Sequence, residues 1–358
     1  MSTSESVIYL CSCALNHKTP DPALVKEMDL DAVYGFAERH MISAIVAMAL
    51  ESAGFKDKRS ENAIGKAIRK AIIFQNALQE ISARMEKAQI NYVPLKGSVL
   101  KEYYPKFGMR EMSDIDILID ADRAEDVKHI MEELGFTTIE FGADTHDVYH
   151  KEPVLSIEIH KSLPASLHED LSKDYYRNYH VSHFSYEDFY IYLIVHEYKH
   201  YSRSGTGLRS LIDTYVYTKS VPLDFAYIAG EMKKLGLEEF EKTNRQLSEK
   251  LFEGKDLIAA EQEQLDYILS SGTYGTIQHR IDNKLKKNNW NKIDYLAHRF
   301  FVPIRKDDKR YTTFAKGYPL FYKHKILLPL LPFYRTIRAI ISGRFKSEAK
   351  ALKKVEKQ

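Results

Sequence analysis

Two acids on one short stretch, Asp114 and Asp116, and a Gly-Ser pair upstream of them, Gly97 and Ser98, are the part of this 358-residue chain that reads as chemistry. Ser113-Asp114-Ile115-Asp116-Ile117-Leu118-Ile119 alternates polar and apolar residues, the pattern of a half-buried strand. That alternation puts both carboxylates on one face, about 6.5–7 Å apart from the strand rise. Like charges so placed repel. A divalent cation, Mg²⁺ or Mn²⁺, removes the objection, because it takes hard oxygen ligands from one or two carboxylates and fills the remaining positions with water and substrate phosphates. An isolated D-x-D also suits the solvent face of a strand, and the Gly-Ser pair is what shifts the weighing. Tyr92 to Leu95 is a short apolar run and Val99 to Tyr104 has helical spacing, so Gly97 and Ser98 occupy a strand-to-helix turn. Backbone N–H groups at such a helix start are a seat for a phosphate.

This order of parts, a strand, Gly-Ser, a short helix and then D-I-D-I-L-I, resembles the nucleotidyltransferase fold of the DNA polymerase β superfamily. The longer string of Lys96-Gly97-Ser98, Leu100, Tyr104-Pro105, Arg110 and Ser113 to Ile119 resembles one branch of it, an uncharacterised bacterial nucleotidyltransferase family. The resemblance implies a third carboxylate on a neighbouring strand, matched by Glu158 in Leu155-Ser156-Ile157-Glu158-Ile159-His160. Glu158 stands where the family has Asp, and Lys161 where it has Trp. Should the hairpin register differ, Asp144 or Asp147 is the alternative.

Further along, Gly207-Leu208-Arg209-Ser210-Leu211-Ile212-Asp213 matches the G-L-R-x-L-x-D string of the same family. Arg209 and Asp213 stand at i and i+4, so they are either a helix-surface ion pair or a nucleotide contact. The implied activity is Mg²⁺- or Mn²⁺-dependent transfer of a nucleoside monophosphate from an NTP such as ATP to an unknown acceptor hydroxyl, releasing pyrophosphate. Asp114, Asp116 and Glu158 would be the metal and catalytic residues. Gly97 and Ser98 would hold the β- and γ-phosphates, with Lys96, Arg110, Arg209 and Asp213 completing the nucleotide site.

The elements that must position these residues read as α+β, a small mixed sheet flanked by helical lobes. Residues 1–91 form an N-terminal helical lobe, in which Asp29 to Gly54 and Glu61 to Ala88 carry apolar residues at helical period. Residues 92–184 form the core. Asp122 to Leu134 reads as a helix capped at Gly135, and Phe136 to Phe141, Val148 to His150 and Val154 to His160 as strands, the last two a hairpin. Residues 185–280 return to helix behind a capping box at Ser185 to Asp188, and residues 281–358 form a basic, aromatic segment.

A hydrophobic content of 44% supports a substantial core, and no apolar run approaches the ~20 residues of a membrane span. Without a basic leader, and with Cys11 and Cys13 reading as buried thiols, the expected location is the cytoplasm. The net charge of +2 conceals an asymmetry: residues 281–358 carry 20 Lys and Arg against 6 Asp and Glu, or +14, and the rest of the chain is −12. Residues 285–358 therefore suit nucleic acid, a peripheral anionic membrane surface or a polyanionic substrate, or packing onto an acidic body.

His196-Glu197-Tyr198-Lys199-His200 is a formal H-E-x-x-H and raises a zinc hydrolase as a rival. Neither a third His at the extended-motif distance nor a clear downstream Glu ligand accompanies it. A non-catalytic nucleotide- or partner-binding protein of the same fold is the other alternative.

Overall fold

The computed structural model describes residues 1–142, 146–163, 184–308 and 310–355. These divide into two compact units, one of residues 1–199 with 206–273, the other of residues 200–205 with 274–358. Among the described residues no single helix is long and apolar enough to cross a membrane.

The first unit has the mixed α+β architecture, built on five strands: β1 (Tyr92–Pro94), β2 (Ile115–Ile119), β3 (Thr137–Glu140), β4 (His146–Lys151) and β5 (Leu155–His160). They lie in the order β1-β2-β5-β4-β3. β2 and β5 are parallel, and the other neighbours are antiparallel. The hairpin expected across Lys151-Glu152-Pro153 pairs Lys151 with Leu155.

Alternation along β2 and β5 sorts their residues onto two faces. Ile115, Ile117, Ile157 and Ile159 pack with Phe74, Ile81 and Met85 of the helix Lys58–Lys87 and with Val127 and Met131 of the helix Ala124–Glu133. Leu118, on the other face, joins Val93, Leu95, Leu100 and the helix Tyr186–Tyr201. That helix is buried almost continuously from Phe189 to Val195, as expected of one that is apolar all round. Asp116, Glu158 and His160 belong to this second face by register.

The single helix expected over Asp29 to Gly54 is two, Leu30–Arg39 and Ser43–Ser52. Met41 turns the chain at a φ of +53°, and the buried His40 accepts the Leu208 N–H at Nδ1, 3.0 Å away. A contact across 168 residues decides the break. Cys11 and Cys13 are buried free thiols on the helix Thr3–Leu15.

The second unit holds two small apolar clusters of its own. Ile281, Leu285, Tyr295 and Ala351 form one; Tyr322, Leu328 and Leu331 form the other.

Candidate functional site

The register of β2 and β5 sets Asp116 directly beside Glu158. Asp116 is 2% exposed, and its Oδ1 accepts Lys96 Nζ at 2.6 Å and bonds His160 Nε2 at 2.8 Å. Burial works to raise its carboxyl, but His160 and the Lys96 charge outweigh this and hold it well below the usual carboxylate range. Glu158 is more open. His160 Nε2 lies 3.6 Å from its Oε2, and this neighbour lowers the Glu158 carboxyl against the opposing effect of burial.

Asp114 behaves in the opposite way. Burial first, and then the charge of Asp116, push its carboxyl above its ordinary value. A second negative charge here is costly without a cation. Among the described residues, Asp116, Glu158 and His160 each offer a ligand atom within 4.8 Å of the others. Two carboxylates suit a hard divalent cation, and the imidazole is a further donor that divalent transition metals accept. The donor set fits a divalent cation. His160 had no metal role in the sequence expectation, whereas Asp114 stands outside the converging trio.

The Gly-Ser turn follows β1, and Leu95 N–H bonding to the Asp116 carbonyl (2.9 Å) ties the two together. Ser98 N–H reaches back to the Leu95 carbonyl at 3.2 Å, closing a turn in which Lys96 has φ +46° and ψ −117°. This conformation favours glycine, and a side chain that adopts it costs of order 1–3 kcal/mol. The ion pair to Asp116 holds Lys96 there. The helix that follows, Gly97–Leu100, is a single turn, so its dipole adds little. The Ser98 hydroxyl is buried without a hydrogen-bond partner among the described residues, an orphaned polar atom at the expected phosphate seat.

Gly97 is required by space. A Cβ there would lie 2.3 Å from Arg110 Nη1 and 2.8 Å from Met112 Sδ. Arg110 is fixed by Asp213, with Nε to Oδ1 at 2.8 Å and Nη2 to Oδ2 at 2.9 Å, while Tyr104 donates to the same Oδ1 at 2.6 Å. All three are buried. Arg209 does not pair with Asp213; its Nη1 donates to the Glu111 carbonyl at 2.9 Å. Arg110, Arg209 and Asp213, expected at the nucleotide, thus have their charged ends engaged by protein, and the Arg110–Asp213 pair stands behind the Gly97 turn. The physical reason is burial, which makes a hydrogen-bond partner obligatory for each charge.

Asp147 pairs in register with Ile159, on the core face away from Glu158, and its Oδ1 accepts Lys161 Nζ at 2.9 Å and Gly142 N–H at 2.8 Å. That gives Lys161 its place. Asp144 lies outside the described residues. The rival motif is likewise accounted for at its glutamate: Glu197 is 4% exposed, and its Oε2 accepts Asn244 Nδ2 at 3.1 Å and Thr214 Oγ1 at 3.4 Å. A general base walled in by core polar groups cannot reach a metal-bound water, and His196 and His200 are outside the trio.

Two residues escaped sequence reasoning. Tyr192, buried on the helix Tyr186–Tyr201, feels the charges of Asp116, Glu158 and Asp114, which add to burial in raising its phenol. Lys70 lines a cavity of about 340 Å³ with Arg59, Lys66, Glu111 and Arg110, and interacts with Asp114. The i, i+4 spacing of Lys66 and Lys70 on a core-facing helix was the available signal.

A strand bearing Asp116, with Asp114 just before it, a Gly-Ser turn against it and a parallel partner strand bearing another acid fit a nucleotidyltransferase core. Residues 26–253 match the family described as "Uncharacterised nucleotidyltransferase". The match spans more than half of the chain, and the chain belongs to this family. No curated protein and no solved structure matches it.

Proposed function

We propose that this chain transfers a nucleoside monophosphate from an NTP to an acceptor hydroxyl, with pyrophosphate leaving. The observation that carries the reading is the pairing of Asp116 with Glu158 on adjacent parallel strands, with the strained Lys96-Gly97-Ser98 turn against Asp116.

Asp116, Glu158 and His160, whose ligand atoms converge, would hold Mg²⁺ or Mn²⁺, with Asp114 adding a carboxylate beside the trio. The cation, when bound, neutralises triphosphate charge and polarises the reacting phosphate. Every other part belongs to the chain. Asp116 is kept ionised by Lys96 and His160 and is therefore ready as a ligand. The Ser98 hydroxyl and the turn's backbone bind the β- and γ-phosphates, and Lys96 adds positive charge beside them. Glu158 is the more exposed of the two paired acids, with 26% side-chain exposure against 3% for Asp116, and takes the proton of the acceptor hydroxyl. Arg110 and Asp213 act through the shape of the turn, and Arg209 through the Glu111 carbonyl in the segment before β2.

ATP is one NTP to try first, and a cytoplasmic site of action and a contact of residues 285–358 with an anionic surface belong to the same proposal. The test is product mass spectrometry after incubating the protein with each NTP, Mg²⁺ or Mn²⁺ and a cell extract. A new nucleotidylated species with matching pyrophosphate is expected. Nucleotide affinity without pyrophosphate release would instead mark a binding protein, and stoichiometric zinc would reopen the hydrolase reading.

A further inference from the structure

The helix Leu331–Ile341 buries one side in the second unit and bares the other. Leu331 packs against Tyr322 and Leu328, and the Arg335 guanidinium lies over the Phe314 ring at 4.5 Å. Leu330, in the 3-10 turn that leads into this helix, precedes Phe333, Tyr334, Ile337, Ile340 and Ile341, which at 100° per residue fall within an arc of about 120°. Their exposures are 57%, 59%, 46%, 58%, 56% and 81%. Single exposed apolar residues are ordinary; five on one arc with a sixth just before them form a patch that signals a partner.

Charge identifies that partner. From Lys323 to Lys354 the sequence has nine Lys and Arg and one acid, Glu348. Glu348 already serves Arg299 at 3.2 Å and Arg280 at 3.8 Å. The helix Arg344–Lys354 leaves the apolar helix across a 91° bend and carries five of those cations. An apolar face flanked by uncompensated cations fits the boundary between anionic headgroups and acyl chains, where each Lys or Arg adds about 1 kcal/mol of attraction. RNA fits less well, because Leu330, Ile337, Ile340 and Ile341 offer bases no ring to stack on. Eleven residues of helix reach only about 16 Å, too short to span a bilayer, so the helix must lie in the plane.

We propose that the helix Leu331–Ile341 seats this protein on an anionic lipid bilayer, with Phe333, Ile337, Ile340 and Ile341 entering the acyl boundary and the helix Arg344–Lys354 over the headgroups. This names the occupant of the anionic-surface contact and is independent of nucleotidyl transfer.

The full-length chain should float with vesicles of equimolar phosphatidylcholine and phosphatidylglycerol at low salt, detach as salt is raised, and bind pure phosphatidylcholine weakly. Ile337→Glu with Ile340→Glu, at positions already in solvent, should reduce partitioning about tenfold or more with unchanged circular dichroism. A Tyr334→Trp reporter should be quenched by brominated acyl chains. Asp116→Asn should bind vesicles as the parent does, which keeps failure here separate from failure of the catalytic reading. The proposal is overturned if the mixed vesicles leave the chain in solution, or if the double Glu variant binds undiminished. RNA binding or self-association through this face without lipid binding would overturn it as well.

Discussion

Arg110 and Asp213 meet in a bidentate ion pair, both side chains nearly inaccessible, with Arg110 Nη1 pressed toward the Cα of Gly97. The pair links the segment before β2 to the helix Leu208–Ser220, and so couples the Gly97 turn to a helix far away in sequence. Its geometry explains why glycine occupies position 97: the guanidinium cannot withdraw its Nη1 while Asp213 holds its Nε and Nη2.

Removing one partner strands the other charge in the core. Asp213→Ala should therefore cost ~3–5 kcal/mol in urea unfolding, whereas Arg110→Met with Asp213→Leu should recover most of that loss. If Asp213→Ala unfolds at the parent's midpoint, the pair does not brace the turn.

Gly97→Ala tests the same relationship from the other side. The added methyl must displace Arg110 or Met112, which lie 2.3 and 2.8 Å from where it would sit. Overpacking of this kind costs about 1–3 kcal/mol, and because it shifts the turn it should also weaken metal-dependent NTP binding. Calorimetric titration with Mg·ATP and Mg·GTP reads the second effect.

Although β2, expected half-buried, is buried on both faces once the helix Tyr186–Tyr201 covers the second, the β2 and β5 alternations, the Gly-Ser turn and the hairpin were legible because each is a local pattern. Arg110 with Asp213 was not. Asp213 looked like the i+4 partner of Arg209, and nothing local announces a pair 103 residues apart. The signal available was the company Asp213 keeps: Leu211, Ile212, Thr214, Tyr215 and Val216 are all buried, so an acid among them must be buried and paired. The break at His40-Met41 was illegible for a similar reason, since neither residue is a helix breaker and Leu208 supplies the cause.

Glu197 gives a pH prediction. Burial pushes its carboxyl up from 4.5 to about 7. The folded chain thus holds this proton more tightly than the unfolded chain. Its contribution is fully present below about pH 4.5, declines between there and pH 7, and is gone above, a loss on the order of 3 kcal/mol. Glu197→Gln cannot titrate, so its unfolding free energy should fall less over this window. Equal pH slopes for parent and variant would show that Glu197 is not protonated in the fold.

At the paired acids, Asp116→Asn should abolish the metal dependence of nucleotide binding, since its carboxylate is the one that Lys96 and His160 keep charged. Undiminished metal-dependent binding of ATP and GTP in the Asp114→Asn, Asp116→Asn double variant would remove the metal assignment altogether.

Glu158 separates binding from chemistry. It lies beside Asp116 in register but on β5, away from the turn that follows β1, and is the more exposed of the two. Glu158→Gln keeps the volume and removes charge and basicity, so Mg·NTP affinity should stay within a few-fold of the parent. Transfer should fall by ~10² or more, the usual size of a lost general base. Asp147→Asn is the control, because Asp147 faces the core with Ile159 and is bound by Lys161 and Gly142. It should lower the unfolding midpoint and leave the rate per folded molecule unchanged. The reverse pattern, transfer intact in Glu158→Gln and lost in folded Asp147→Asn, would move the third carboxylate to β4 and to the other face of the sheet.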